Sequence, residues 1–295
     1  MPVVHFVDKD LNMESRSPFV SVLMTAYNRE KYIGEAVESV LSSTYNNFEL
    51  IILDDASVDK TTFIAERYVK RDERISLYIN EKNLGQFPNR NKAASLAKGW
   101  LIFWVDSDDT IQPDAIEYVV NQFLAHREVK FSIIYQKGDL QKPAVMKPEE
   151  SIRHNYFKDG FLNTGPGGTV IETDYFKLIG GFPEQYGPIG DKYYNVKAAA
   201  NTNILLLPYN YLNYRRHEQQ EINNTFSYLC DGHRYVADLM QRTDLPLTAK
   251  EKNDILKKSA RANMLSFLRN VRKTGEIRKT FRAFRISGIK LKDLL

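Results

Sequence analysis

Three aspartates lie within four residues of one another, directly after a short apolar run. Residues 101–105 have the length and composition of a buried strand, and Asp106, Asp108 and Asp109 follow them. Carboxylates this close together repel one another and resist desolvation, so a fold that buries them supplies a cation or many hydrogen-bond donors. Oxygen ligands on a short loop suit Mg2+ or Mn2+, and these ions suit a substrate that carries phosphate.

A structural role for the same aspartates stays open. Asp pairs are common in turns. Pro113 is expected to open a helix that reaches Leu124, with Asp109 or Thr110 as its N-cap. Under that interpretation the acidic stretch is a solvated turn that holds no metal ion.

Polar residues also follow the first two predicted strands. They are Thr25, Tyr27 and Asn28 after the strand at residues 19–24, and Asp54 and Asp55 after the strand at residues 48–53. The carboxyl ends of parallel strands share one edge of a sheet, so an aromatic ring and two acidic clusters would meet there. A nucleoside diphosphate fits such a set: its base stacks on a ring and bonds a carboxylate, its ribose bonds another, and its diphosphate needs a divalent ion. Taken singly, Tyr27 also fits a packed tyrosine, and Asp54-Asp55 also fits a turn that opens a helix.

Strands and helices alternate along the first half of the chain. Apolar runs predict strands at residues 19–24, 48–53, 75–79 and 101–105, and apolar periodicity predicts helices between them. This order is typical of a parallel sheet covered by helices on both faces. The rest of the chain is expected to form strands at residues 131–135, 169–172 and 201–208, an excursion or flexible connection at 136–150, and helices from about residue 223.

The composition is that of a globular protein with a large core. The 295 residues are 43% hydrophobic and 26% charged, and the single cysteine, Cys230, excludes an internal disulfide. No apolar run approaches the roughly 18 residues that span a membrane. Residues 1–17, predicted to be an N-terminal leader, lack the apolar centre of a signal peptide. We therefore expect a cytoplasmic protein.

The positive charge is concentrated at the C-terminus. Residues 251–295 carry a net charge of +9 against +4 for the whole chain, so the remainder carries −5. An acidic body argues against nucleic acid as the partner. The basic helices could pack their apolar stripe on the body, rest on anionic lipid at the cytoplasmic membrane face, or form a homodimer.

An ordered series of short motifs resembles the family-2 glycosyltransferases with the GT-A fold, across residues 19–217. The resemblance is carried by Val20-Ser21-Val22, Tyr27-Asn28, residues 36–41, residues 48–59, Asn83-Leu84-Gly85, Arg90-Asn91, Ala97-Lys98-Gly99, Asp106-Ser107-Asp108-Asp109, Gly180-Gly181-Phe182 and Tyr214-Arg215-Arg216-His217. It implies transfer of a sugar from a nucleotide-sugar, commonly a UDP-sugar, to an acceptor hydroxyl with inversion at the anomeric carbon. Ala56 stands where the family often has Gly, which is a mild departure.

The strand-end residues and the resemblance together give a predicted set of site residues. The donor site comprises Thr25, Tyr27, Asn28, Asp54, Asp55, Asn83, Arg90, Asn91, Asp106 and Arg216, and the metal site comprises Asp106, Asp108 and His217. The resemblance implies that Thr25, Tyr27 and Asp55 hold the base, Asp106 the ribose and Asp108 the metal ion, Mn2+ or Mg2+, while Asp109 supports the site. For His217 the alternative is a histidine without a role in phosphate binding.

The resemblance also implies a catalytic base. In the family this base is an acidic residue at the start of a helix after the Gly-Gly-Phe motif, usually the second of a Glu-Asp pair, and here the position holds Asp191 after Gly190. The missing first acid departs from the family pattern. As an alternative that is compatible with catalysis, Asp191 would be the N-cap of a helix at residues 192–200. Residues 165–168 would let backbone approach a sugar, or form a plain Gly-rich turn.

These observations define one main hypothesis and two rivals. The fold is predicted to be α/β, a mostly parallel GT-A (Rossmann-like) sheet between helices, with a leader at residues 1–17, a catalytic domain at 18–218 and a helical, basic region at 219–295. The function is predicted to be metal-dependent, inverting sugar transfer to a saccharide or lipid-linked acceptor, in cell-surface polysaccharide or glycan synthesis. The rivals are a nucleotidyltransferase on a similar sheet and a non-catalytic module that binds a nucleotide-sugar or a membrane surface.

Overall fold

The computed structural model describes residues 17–218, 220, 224–290 and 293, and the structural statements below concern these residues. The predicted leader at residues 1–17 lies outside this part of the chain except for Ser17.

The strands in the described residues are β1 (Val20–Ala26), β2 (Phe48–Asp54), β3 (Ile75–Ile79), β4 (Leu101–Trp104), β5 (Thr110–Ile111), β6 (Val129–Ile134), β7 (Ala144–Met146), β8 (Thr169–Glu172), β9 (Asn203–Leu207) and β10 (Leu212–Asn213). Seven of them, β1 to β4, β6, β8 and β9, begin and end close to the predicted positions, whereas β5, β7 and β10 were not predicted. The short pair of β5 and β10 forms a sheet of its own.

The helices follow the expected alternation. They are α1 (Ile33–Leu41), α2 (Thr61–Val69), α3 (Gln86–Leu96), α4 (Ala115–Ala125), α5 (Pro148–His154), α6 (Thr173–Leu178), α7 (Gly190–Ala199), α8 (Thr225–Gln241), α9 (Ala249–Thr274) and α10 (Ile277–Ser287).

The main sheet has eight strands in the order β3-β2-β1-β4-β8-β6-β9-β7. The first four strands are parallel, and Val20 of β1 lies beside Phe48 of β2 on one side and Leu101 of β4 on the other. β8 runs antiparallel to both of its neighbours, β6 and β9 are parallel, and β7 is an antiparallel edge. The predicted α/β fold with a mostly parallel sheet is therefore confirmed.

Both faces of the sheet are covered by helices. Successive side chains of a strand point to opposite faces. Leu23 and Trp104 thus belong to the apolar cluster that includes α3, α7 and α8, whereas Val22 and Phe103 belong to the cluster that includes α1 and α4. Each of these four side chains is at most 1% exposed. This two-sided burial explains why the strands read as continuous apolar runs in the sequence.

Two local predictions were wrong. α4 begins at Ala115 with Asp114 at its N-cap, and Thr110 lies in β5, so neither Asp109 nor Thr110 caps this helix. Residues 136–150, expected to be an excursion or flexible connection, contain β7 and the start of α5. β7 is only three residues long and pairs with β9, a long-range contact that local patterning does not reveal.

The C-terminal helices pack on the body of the protein, as one of the three interpretations of the basic tail expected. On α8, Val236 and Leu239 join the apolar cluster that contains α3 and α7. Leu229 and Cys230 of the same helix form a smaller cluster with side chains of α9 and α10. Within the described residues, no helix is both long and apolar enough to cross a membrane. The domain boundaries and the cytoplasmic location stay predictions.

Candidate active site

A cavity of about 930 Å³ opens at the carboxyl ends of β1, β2 and β4. This is the edge of a parallel sheet at which α/β proteins bind ligands. Its wall includes nine of the predicted site residues, Thr25, Tyr27, Asn28, Asp55, Asn83, Arg90, Asp106, Asp108 and Asp191. The fold thus gathers side chains that lie as far apart in sequence as β1 and α7.

The turn after β1 presents Tyr27 to the cavity. Asn28 has a positive φ of 53°, and its Oδ1 accepts a hydrogen bond of 3.0 Å from the backbone N–H of Val58. The backbone N–H of Asn28 donates to Ser57 Oγ at 2.9 Å. These bonds tie the first loop to the second, and the Tyr27 ring, 44% exposed, is left facing the cavity.

Asp55 organises the loop that follows β3. Its Oδ1 accepts hydrogen bonds of 2.8 Å from Asn80 Nδ2 and from the backbone N–H of Leu84, and its Oδ2 accepts one of 2.9 Å from Gly85. Gly85 has a φ of 91°, which suits glycine. Asp55 is 2% exposed, and its backbone carbonyl accepts a hydrogen bond of 3.3 Å from Nδ2 of Asn83, which lines the cavity.

Asp54 does not line the cavity. It is fully buried, and its oxygens accept hydrogen bonds from the backbone N–H of Ser57 (2.8 Å) and from Ser57 Oγ (2.5 Å). Burial raises the pKa of the Asp54 carboxyl group, and the bonds from Ser57 oppose that shift. Side chains alternate along β2, so Asp54 points away from the cavity and stabilises the turn at Ser57 instead of contacting a ligand.

Asn91 and Arg216 also lie away from the cavity wall. Asn91 Oδ1 accepts from the backbone N–H of Phe182, and its Nδ2 donates to the Phe182 carbonyl, both at 2.9 Å. Neighbouring residues on a helix point about 100° apart, so Arg90 faces the cavity while Asn91 holds the Gly-Gly-Phe turn. Arg216 is exposed and is absent from the described wall.

Arg90 neutralises Asp106. Its Nη2 lies 2.5 Å from Asp106 Oδ1, and the Arg90 side chain is only 5% exposed. The guanidinium carbon lies 5.7 Å from the centre of the Trp104 ring, at the end of β4. Arg90 therefore stabilises one of the clustered carboxylates from a buried position.

Asp108 is held by two cationic or ionisable side chains. Its Oδ2 accepts a hydrogen bond from Arg29 Nε at 2.9 Å, and His217 Nε2 lies 2.9 Å from the same oxygen. His217 stacks on the Tyr32 ring with a centroid distance of 4.6 Å, and its side chain is 8% exposed. The structure thus places His217 beside Asp108, and it adds Arg29, which the sequence analysis missed.

Asp109 does not line this cavity but lines a neighbouring one of about 550 Å³, and Asp106 belongs to the walls of both. Burial, together with the charges of Asp106 and Asp108, raises the pKa of Asp109 to about 7, although a backbone hydrogen bond from Arg215 opposes the shift. That bond, 2.9 Å long, links the acidic loop to the segment that carries His217.

The three predicted metal ligands do not form one compact cluster. Among the described residues, no group of three or more His, Cys, Asp and Glu side chains is arranged to hold a metal ion. Asp106 faces Arg90, whereas Asp108 faces Arg29 and His217. An aspartate oxygen beside an imidazole nitrogen is nevertheless a donor pair that Mn2+ accepts. Asp108 and His217 would therefore fit a divalent ion, although in this structure Arg29 also donates to Asp108.

Asp191 occupies the second position of α7 and faces the cavity. Burial raises the pKa of its carboxyl group to about 6, and the charge of Asp106 adds to this shift, while Lys192 and Arg90 oppose it. Its Oδ1 accepts from the backbone N–H of Lys192 at 2.7 Å. The N-cap of α7 is Ile189, so the expected capping role of Asp191 was wrong.

Several wall residues were not anticipated from the sequence. They include Arg29, Asn163, Lys192, Gln220 and Tyr228. Tyr228 belongs to α8, and the Lys192 ammonium lies 5.8 Å from the centre of its ring. The predicted boundary at residue 218 therefore divides residues that line one cavity. No local motif marks Tyr228, because it reaches the cavity only through the packing of α8.

The cavity lies at the carboxyl edge of a mostly parallel sheet, and its wall holds carboxylates, basic side chains and an aromatic ring. These features are typical of α/β proteins that bind nucleotides. The sequence of residues 21–179 matches the family described as glycosyl transferase family 2. The chain belongs to this family, and the resemblance noted in the sequence is confirmed.

Related sequences cover about half of this chain. TuaG of Bacillus subtilis, a glycosyltransferase provisionally assigned to teichuronic acid biosynthesis, is 39% identical over 166 residues, which is 55% of this chain and 64% of TuaG. Chondroitin synthase of Escherichia coli is 35% identical over 137 residues, which is 45% of this chain and 20% of that protein. The chain thus spans less than two thirds of either relative.

Solved structures share the fold over most of the chain. Residues 1–349 of S. aureus TarS, in complex with UDP-GlcNAc, are 21% identical with a TM-score of 0.69, covering 90% of this chain and 79% of the other. The mannosyltransferase PcManGT of Pyrobaculum calidifontis, in complex with GDP-Man and Mn2+, is 15% identical with a TM-score of 0.66, covering 95% and 78%. At these identities the likeness supports the fold.

Proposed function

We propose that this protein is an inverting glycosyltransferase that moves a sugar from a UDP-sugar to an acceptor hydroxyl in the synthesis of a surface polysaccharide or glycan. The observation that carries the proposal is the placement of Asp191, with its raised pKa, in the same cavity wall as Asp106 and Asp108. Family membership supports the reaction class, and the names of TuaG and chondroitin synthase support a glycan product.

The donor would lie along the β1, β2 and β4 side of the cavity. Tyr27 is exposed enough to stack on a base, and Thr25 and Asn83 are beside it in the wall. Asp106 would bond the ribose. Uridine as the base is supported by the UDP-GlcNAc complex of TarS, which has the same fold.

Asp191 would act as the base in a single displacement. A carboxylate with a pKa of about 6 is ionised at neutral pH and is a better proton acceptor than an ordinary aspartate. It would remove the proton of the acceptor hydroxyl as that oxygen attacks the sugar from the side opposite the diphosphate.

Charge on the departing diphosphate would be offset from the Asp108 side of the cavity. Asp108 and His217 would hold Mn2+ or Mg2+, and a bound divalent ion supplies electrostatic stabilisation of the leaving group. Arg29, whose Nη1 also donates to the carbonyls of Tyr27 and Asn28, would lie beside the diphosphate and offset part of the same charge. The Mn2+ in the PcManGT complex supports metal dependence.

The test begins with binding of UDP, measured by calorimetry with and without Mn2+. We expect metal-dependent binding that Asp108→Ala weakens at least about tenfold. Turnover of a panel of UDP-sugars should then fall by about 10²-fold or more in Asp191→Asn, with UDP affinity unchanged. Asp174→Asn is the matched control, because Asp174 also occupies the second position of a helix, α6, and is exposed.

Three results would contradict the proposal. Failure of UDP to bind under either condition would remove the uridine assignment. Full turnover by Asp191→Asn would favour nucleotidyl transfer, a reaction in which the Asp191 carboxylate is not needed as a base. Tight UDP-sugar binding without sugar transfer or donor hydrolysis would favour a binding module.

A further inference from the structure

The second half of α9, together with α10, forms a strongly basic hairpin. Residues 261–290, called the basic hairpin below, contain nine Lys and Arg and one acidic residue, Glu276, for a net charge of +8. The whole chain carries +4, so the rest of the protein carries −4. Glu276 pairs with Lys279 at 3.2 Å and can offset only a small part of this charge.

Large apolar side chains are exposed on the same hairpin. Leu265 is 52% exposed, Leu268 63%, Ile277 66% and Phe281 62%. The buried residues of α10 are small, namely Thr280, Ala283 and Ser287, each at most 4% exposed, and Phe284 packs beside them. Apolar groups that would stabilise the fold if buried are therefore presented to the surroundings among arginines and lysines.

The exposure does not result from loose packing of the hairpin. Asn270 Nδ2 on α9 donates to Thr280 Oγ1 on α10 at 2.8 Å, and the Phe267 and Phe284 rings lie 5.6 Å apart. Phe267 is itself buried against Leu229 of α8. The apolar and basic groups thus project from a hairpin that is fixed to the body.

We propose that the basic hairpin docks the protein on an anionic lipid bilayer, with Phe281 and the other exposed apolar side chains in the interface and the arginines and lysines at the headgroups. A basic helix face that also carries exposed aromatic and aliphatic side chains matches this surface in both charge and polarity. A symmetric dimer through the same patch would bring two charges of +8 together. A nucleic acid would satisfy the charge but would leave the apolar groups exposed.

Docking would also set the position of the active-site cavity. Tyr228 lines the cavity, and the next two residues of α8, Leu229 and Cys230, pack in the cluster shared with the hairpin. A docked hairpin would therefore fix the cavity near the bilayer. If the proposed function holds, this placement favours an acceptor carried on a lipid, but the docking itself does not depend on that function.

The test is co-sedimentation of the full chain with phosphatidylcholine vesicles, with and without phosphatidylglycerol. We expect binding only to the anionic vesicles, weakening steeply as salt is added. Phe281→Ser should reduce the partition coefficient by about tenfold. Phe63→Ser is its control, because Phe63 is 60% exposed on α2. Arg278→Gln with Arg282→Gln should weaken binding and its salt dependence, whereas Arg67→Gln with Lys70→Gln should not.

Thermal unfolding and UDP calorimetry of each variant separate docking from folding and from donor binding. All of these variants should unfold near the wild-type temperature and bind UDP as the wild-type protein does. Absence of binding to anionic vesicles at low salt would overturn the proposal. Equal losses in the hairpin variants and their α2 controls, or a Phe281-dependent dimer seen by light scattering without lipid, would also overturn it.

Discussion

The carboxyl group of Asp191 combines two properties that a proton acceptor needs. It faces the cavity shared with the acidic loop, and burial raises its pKa to about 6. Asp109 has a still higher pKa, about 7, but it accepts a hydrogen bond from Arg215 and lies outside the wall of that cavity. A raised pKa is therefore not enough to single out a base, and it is the position of Asp191 in the wall of the main cavity that makes it our candidate.

The raised pKa of Asp191 predicts the pH dependence of turnover. Only the ionised carboxylate accepts a proton, so kcat/KM should rise with pH through about 6 and level off above it, whereas an ordinary aspartate is ionised from about 4. The measurement is a pH profile of sugar transfer or donor hydrolysis. A profile that is flat between about pH 5 and 8 would contradict the assignment of Asp191 as the base. The same holds if the Asp191→Asn variant shows the pH profile of the wild type.

At the scale of the elements, β1 and the connection from α3 to β4 lie in close backbone contact. The backbone N–H of Gly99 donates to Ser21 Oγ at 2.8 Å. A Cβ at Gly99 would lie 2.4 Å from the backbone N of Ser21 and 2.6 Å from the carbonyl carbon of Val20. Backbone atoms of a central strand cannot move aside cheaply, so only glycine fits here.

Gly99→Ala should therefore destabilise the protein by about 2 kcal/mol or more. Urea denaturation would measure the change in the free energy of unfolding. Gly165→Ala is the control, because no atom lies within 4 Å of its Cβ position and its φ is −68°. A Gly99→Ala variant as stable as the wild type would mean that β1 and the α3 to β4 connection are less tightly packed than the structure indicates.

At the scale of the whole molecule, the C-terminal helices complete the core of the α/β body. Val236 and Leu239 of α8 and Ile255 of α9 belong to the same cluster as Leu23 and Trp104 of the sheet. α8 also carries Tyr228 in the cavity wall. The region predicted to start at residue 219 thus contributes to both stability and the site.

A chain that ends after residue 218 should accordingly lack a cooperative unfolding transition. It would expose the apolar face that α8 and α9 cover, and we expect strong binding of a hydrophobic dye. A chain that ends after residue 274 removes α10, which packs in the smaller cluster, and should keep its transition. Calorimetry of both chains is the measurement, and cooperative unfolding of the shorter one would make residue 218 a true domain limit.

The amino-acid sequence by itself determined the alternation of strands and helices and the polar residues at the strand ends. These features are local, since apolar periodicity sets the element type and the end of a buried run sets where polar groups appear. The parallel arrangement follows, because strands separated by helices pair in parallel. Because their apolar runs are local features, β3 and β8 were predicted with their observed bounds.

Only the tertiary structure decided which side chains meet. The resemblance had placed Asp108 with His217, but Arg29, 79 residues from Asp108, bonds the same carboxylate, and no local pattern indicates that contact. Consecutive residues of a helix point in different directions, so Arg90 lines the cavity and Asn91 does not. Side chains alternate along a strand, so Asp54 points away from the cavity. The pKa of Asp191 depends on burial, and burial is a property of the packed molecule because water is excluded only when distant elements close over the group.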